Sequence, residues 1–272
     1  VALTIAGSDS GAGAGLQADL KAFAALGVFG TSAVTAVTAQ NTLGVRAVHV
    51  LPPEMVDAQI AAVVEDLAPR AAKTGMLATA AIMAVVARRA AAGDLPHLVV
   101  DPVMVASSGD RLLDEDAERA YLDRLLPLAE VATPNLREAS LLVGRPLVDL
   151  DDMAAAARSL HEAGAGVVVV KGGHLPGPEA VDVVFDGREV VLLRSPWVAT
   201  ANVHGTGCTL SAAIAAHLAR GLGPLEAVAA AKELVTAALR GAAGWSIGSA
   251  AGHGPLDHFG WSAPADAVPG PR

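Results

Sequence analysis

Short apolar runs recur along this chain, each ending in a polar side chain and followed by a helix-length stretch. Runs at residues 1–6, 98–100, 131–133 and 166–170 are too continuously apolar to have one wet face, and 71–74 reads as a further short strand. Strands of that kind must lie between two helical layers, as in an open, mostly parallel α/β sheet. Residues 16–26, 53–67, 79–92, 149–163 and 224–240 read as the helices, and part of 114–126 and the stretch after Pro134 and Asn135 as two more. Residues 31–39 and 45–50 read as further strands, and 181–185 with 190–193 as an antiparallel hairpin on a sheet edge.

The polar residues fall in a pattern. Asp9, Gln40, Lys73 with Thr74, Asp101, Asn135 and Lys171 each close an apolar run. Taken singly, each is also an ordinary turn or cap residue. In a parallel sheet these ends share one edge, where ligands bind in the crevice beside the strand termini. Polar residues at six equivalent positions therefore point to a site.

Gly205, Thr206, Gly207 and Cys208 lead into an Ala-rich run with Leu210, Ile214 and Leu218 at helical spacing. The first amides of a helix have no partner inside it, and the dipole favours negative charge there, so this turn can cradle a phosphate. The same position can lower a thiol pKa, which makes Cys208 a candidate base or nucleophile. The competing reading is a Gly-rich helix entry carrying a small buried thiol.

Other motifs are weaker. Residues 13–18 match the dinucleotide fingerprint GxGxxA, which suggests a nicotinamide enzyme, yet no acidic residue lies between Asp19 and Glu54 to hold a ribose. No Gly-Lys-Ser or Gly-Lys-Thr is present for a phosphate loop of the Walker type. His174 and His204 lack the spacing of a zinc site and read as loop or supporting residues. Asp101 and Glu138 suit Mg²⁺, which takes one or two carboxylates plus water and phosphate; Glu138 is equally an ordinary first-turn helix acid.

Composition narrows the classes. A net charge of -9 with no long basic run argues against nucleic acid and anionic membranes as partners. One cysteine excludes an internal disulfide and any multi-cysteine metal site, and fits a reducing cytoplasm. The chain opens directly on strand-like residues, which is read as a soluble protein whose natural first residues are trimmed, with a loose tail over 260–272.

The segments TIAGSDSGAGAGLQADLK, TAQNTLGV, AKTGML, VVDPVM, SGDRLL, TPNLREA, VVKGGH, NVHGTGCTLSAAIAA and HGPLDHF run collinearly from Leu3 to Phe259. Together they resemble the ribokinase-like small-molecule kinases, and more narrowly the hydroxymethylpyrimidine/phosphomethylpyrimidine kinases of thiamine biosynthesis. The resemblance implies a three-layer α/β/α kinase domain over residues 1–259, usually a cytoplasmic homodimer. It implies transfer of the γ-phosphoryl of ATP, with Mg²⁺, to the pyrimidine alcohol and then to its monophosphate. By the same resemblance, Asp19 and Gln40 hydrogen-bond the aminopyrimidine, and Gly7 and Met76 line its pocket. Lys171, Asn135, Asp101 and Thr206 serve ATP, Asp101 and Glu138 serve Mg²⁺, Gly205 to Gly207 form the anion hole, and Cys208 replaces the aspartate base of sugar kinases. Ser107 stands where many such kinases carry a lysine, and a pyridoxal kinase of the same branch is the alternative, which Gln40 disfavours because its amide both donates and accepts along a heterocycle edge.

Overall fold

The computed structural model describes residues 1–104, 119–173, 175 and 177–260. Nine strands among these form one sheet in the order β3-β2-β1-β4-β5-β6-β7-β8-β9. They are β1 (Ala2–Asp9), β2 (Gly30–Asn41), β3 (Gly44–Val50), β4 (Ala71–Thr74), β5 (Leu98–Val100), β6 (Val131–Ala132), β7 (Val167–Val170), β8 (Glu179–Phe185) and β9 (Val190–Pro196). β1, β2 and β4 to β7 run parallel, while β3 on one edge and β8–β9 on the other run antiparallel. The expected edge hairpin is therefore present, and β3 is a second one that the apolar pattern does not orient.

Helices cover both faces: α1 (Gly15–Ala25), α2 (Pro53–Leu67), α3 (Ala80–Ala91), α4 (Leu136–Val143), α5 (Leu150–Glu162), α6 (Thr206–Ala219) and α7 (Pro224–Ala242). Local chemistry sets their ends. Pro53 opens α2, the Thr79 hydroxyl caps α3, Asn135 and Glu138 form a reciprocal capping box on α4, and Asp149 caps α5. Between α3 and α4, the described part of the expected 114–126 helix is helical at 119–120, then a π turn, Tyr121–Leu125, followed by a 3-10 turn, Leu126–Leu128.

Alternate strand residues feed two cores. Leu3, Ile5, Ala72, Val100 and Val168 pack toward α2, α3, α4 and α5; Ala2, Ala71, Val99, Val131 and Val169 pack toward α1, α6 and α7. Helix α6 is buried all round from Thr209 to Ala219 and lies under β1, β4 and β5. Its alanines permit that close approach, and its N-terminus is thereby delivered to the middle of the sheet edge. β1 sits between β2 and β4, so the strand order reverses beside it, where a doubly wound sheet leaves a crevice.

Candidate active site

All six strand-end positions lie along one edge of the sheet, but they do different work. Asp9 is 2% exposed and faces inward. Its oxygens accept from the amides of Gly11 (2.7 Å), Gly13 (3.1 Å) and Ala14 (2.9 Å), and from His204 Nε2 at 2.9 Å. Burial pushes the Asp9 carboxyl up, but His204 and the loop amides outweigh it and hold the group below its ordinary range. Asp9 thus shapes the glycine loop from within.

Lys73 lies inside β4 rather than beyond it, and is 0% exposed. Its Nζ donates to both oxygens of Asp19 at 2.9 Å, and Thr4 Oγ1 donates to Asp19 at 2.6 Å. With both oxygens engaged and no surface exposed, Asp19 is a buried counter-ion of Lys73 here. Thr74 is also fully buried.

The charged centre is Asp101. It is 1% exposed; Oδ1 accepts from Lys171 Nζ (3.0 Å) and Thr133 (3.2 Å), and Oδ2 from Ser211 of α6 (3.1 Å). Burial raises the Asp101 carboxyl, but Lys171 and Lys73 more than offset it, so it stays ionised below the ordinary range. Glu138 goes the other way: burial foremost, with repulsion from Asp101, lifts it to about 7 against the pull of Lys171. Two neighbouring carboxylates are split into one ionised group and one close to neutral. Glu138 also accepts from the Asn135 amide at 2.8 Å, so its ordinary capping role and its place in the site coexist.

Helix α6 enters this centre through Gly205, whose φ of 86° is left-handed and which no side chain caps. A Cβ on Gly205 would overlap the Gly13 carbonyl, and one on Gly207 would stand 3.1 Å from Lys171 Nζ. Glycine is required by this close approach as well as by the turn. Cys208 is partly exposed, and the Gly15 amide at the start of α1 donates to its sulfur. The lowered thiol pKa expected from the helix terminus is not found. Burial pushes the thiol up to about 11, Asp19 and Asp101 add to this, and Lys73 and the Gly15 amide only partly oppose it.

A Cβ on Gly7 would meet the Met76 methyl at 2.7 Å, so these two residues form one surface. Gln40 Nε2 lies 3.3 Å from His204 Nε2, and the Thr38 hydroxyl reaches Gln40 Oε1 at 3.2 Å. The segment HGPLDHF folds back here: Gly254 O accepts from the His204 amide (3.0 Å), His253 N donates to Thr42 O (2.9 Å), and His258 meets Thr209 of α6 (2.9 Å).

The structure therefore brings Asp101, Lys171, Asn135, Glu138, Thr206, Gly207 and Cys208 together, with Gly7, Gln40 and Met76 alongside. Ser211, Thr133, Thr4 and the HGPLDHF anchors were not foreseen, although Ser211 lies one helical turn beyond Cys208. Ser107 and His174 lie outside the described residues. Among the described residues, no cluster of three or more His, Cys, Asp or Glu side chains could hold a metal by itself.

Three comparisons place the chain. It is 52% identical over 263 residues to a hydroxymethylpyrimidine/phosphomethylpyrimidine kinase of Rhizobium meliloti, covering 95% of this chain and 97% of that protein. A phosphomethylpyrimidine kinase structure from Clostridium difficile superposes with a TM-score of 0.77 at 42% identity, over 86% of this chain and 97% of that one. A Staphylococcus aureus pyridoxal kinase, solved with AMP-PCP and pyridoxal, gives 0.88 at 37% identity over 96% and 94%. The phosphomethylpyrimidine kinase family model matches residues 9–257, and the chain belongs to that family.

Proposed function

We propose that this protein uses ATP to phosphorylate 4-amino-5-hydroxymethyl-2-methylpyrimidine, and then the resulting monophosphate, in thiamine biosynthesis. The observation that carries the reading is the convergence of Cys208, the uncapped first turn of α6, and the Asp101–Lys171 pair at one sheet edge. In its thiolate form, Cys208 Sγ takes the proton of the acceptor hydroxyl as that oxygen bonds to the γ-phosphorus and the bond to the ADP oxygen breaks. The amides at Gly207 and Cys208 and the Lys171 ammonium stabilise charge on the transferring group. With the thiol at about 11, the thiolate is the minor form at pH 7, so turnover is expected to rise with pH.

Gln40 supports an aminopyrimidine acceptor, because its amide both donates and accepts, and Gly7 with Met76 supplies an apolar wall. Asp19 acts through Lys73, whose ammonium helps draw the thiol down. Mg²⁺ fits the donor set: Asp101 and Glu138 are two neighbouring carboxyl groups of the number Mg²⁺ uses beside phosphates and water, and they would hold it. When bound, the ion supplies charge neutralisation on the phosphates. Asn135 and Thr206 flank the same nucleotide end.

We place this activity in one domain over residues 1–259 of a cytoplasmic homodimer. No described helix is long and apolar enough to cross a membrane. The β2–β3 edge exposes Val37 (49%), Leu43 (56%) and Val48 (45%), which suits contact with a second copy. The deciding experiment is ADP release measured with the pyrimidine alcohol, its monophosphate and pyridoxal as acceptors. Turnover with both pyrimidines, and weaker turnover with pyridoxal, is expected; no turnover with either pyrimidine rejects the assignment.

A further inference from the structure

A second buried ion pair lies behind the phosphate-binding lysine. Lys232 of α7 and Asp182 of β8 are 9% and 7% exposed, with Lys232 Nζ 2.8 Å from Asp182 Oδ2 and 2.9 Å from the Ala180 carbonyl. The other oxygen, Asp182 Oδ1, accepts from the Gly172 amide at 3.0 Å. The β7–β8 ladder ends at Val170 paired with Val183, so the Asp182 side chain takes over the pairing where the ladder stops. On the far side, the Lys171 amide donates to the Pro134 carbonyl at 2.9 Å.

The turn held in this way has little slack. A Cβ on Gly172 would overlap the Val181 carbonyl and meet the Met153 methyl at 2.8 Å, so the backbone lies directly on β8 and on α5. Lys171 projects from it to reach Asp101 at 3.0 Å, beside Gly207. An ammonium between a carboxylate and a helix terminus has a narrow range of useful positions, and an error of about 1 Å at a reacting group costs on the order of 100-fold in rate.

We propose that the buried Lys232–Asp182 pair is the positioning device for Lys171, fixing through the Gly172 amide the backbone from which that lysine meets the nucleotide phosphates. Lys232 holds Asp182 in place, and Asp182 holds the turn. The inference rests on the nucleotide site proposed above, yet nothing in the apolar strand VDVVF or the Ala-rich helix around Lys232 marks either residue for that site in the sequence.

A buried ion pair tolerates joint replacement better than loss of one member, so two double variants make the test. Asp182→Asn/Lys232→Met keeps an oxygen for the Gly172 amide; Asp182→Leu/Lys232→Met does not. Binding of a non-hydrolysable ATP analogue is measured by calorimetry, beside the KM of the pyrimidine alcohol and the melting temperature. The Leu variant is expected to bind the analogue roughly tenfold or more weakly than the Asn variant, with the acceptor KM within about twofold between them. Equal analogue affinities in the two variants overturn the proposal, as does parallel weakening of both substrates. Because analogue binding needs no turnover, failure of the wild type to phosphorylate the pyrimidine rejects the functional assignment and leaves this comparison readable.

Discussion

Two glycine-rich turns open the two helices that meet at the site, and they look alike on paper. In the turn before α1, the amides of Gly13 and Ala14 are already taken by the Asp9 carboxylate. In the turn before α6, no side chain caps the first amides, and Lys171 stands beside Gly207. The first turn carries its own anion, whereas the second is left for one that arrives. That difference explains why the GxGxxA match at residues 13–18 is no dinucleotide site: the seat of a pyrophosphate is filled from within the chain.

The largest effect should come from the second turn. Cys208→Ala is expected to lower kcat by roughly 10² to 10⁴ while leaving binding of both substrates nearly intact, read by steady-state kinetics beside calorimetry. Unchanged kcat would remove the thiol from the chemistry. A thiol at about 11 leaves on the order of one thiolate in 10⁴ at pH 7, so iodoacetamide labelling of Cys208, the only cysteine, should be slow at pH 7. Labelling should quicken about tenfold per pH unit up to pH 10, followed by mass spectrometry. Fast labelling at pH 7 would place the thiol pKa far lower.

The first turn should respond differently. Asp9→Asn puts a donor among amide donors, and a loss of about 2–3 kcal/mol in folding stability is expected from urea unfolding. Its acceptor KM should rise through the displaced His204 and Gln40, with kcat affected less than in Cys208→Ala. If Asp9→Asn instead silences kcat at full stability, the two turns share one role and the contrast fails.

The smallest effect lies where the C-terminal segment clips the second turn. His258 is 2% exposed, and burial, with help from Lys21, lowers it to about 4. The folded state thus favours the neutral ring. Its contribution, on the order of 2–3 kcal/mol, is present above about pH 6.5 and is lost as pH falls toward 4. Melting temperatures taken between pH 7 and 4 should drop less steeply in His258→Gln than in the wild type. Parallel curves would show that the ring does not couple to acid unfolding.

Much of the fold was legible because its signals are local. Pro53, Thr79, Asn135 and Asp149 mark helix starts, and Leu98–Val100 matches the expected strand because a continuous apolar run leaves few other options. The edge β3 gave no such signal, since five of its seven residues are exposed and its direction comes only from pairing with β2. In the site, the strand-end residues were legible by position. Which way their side chains turn was not, as Lys73 and Asp19 show by closing on each other.

The sequence by itself determined that apolar strands alternate with helices, that polar groups close those strands, and that a glycine turn precedes the only cysteine. Such features follow from periodicity and backbone sterics within a few residues. Tertiary structure alone decided that Asp9 serves the glycine loop, that Asp101 ionises while Glu138 rises to about 7, and that the thiol climbs to about 11. Those outcomes depend on desolvation and on charges brought together from distant parts of the chain, and neither is encoded in spacing.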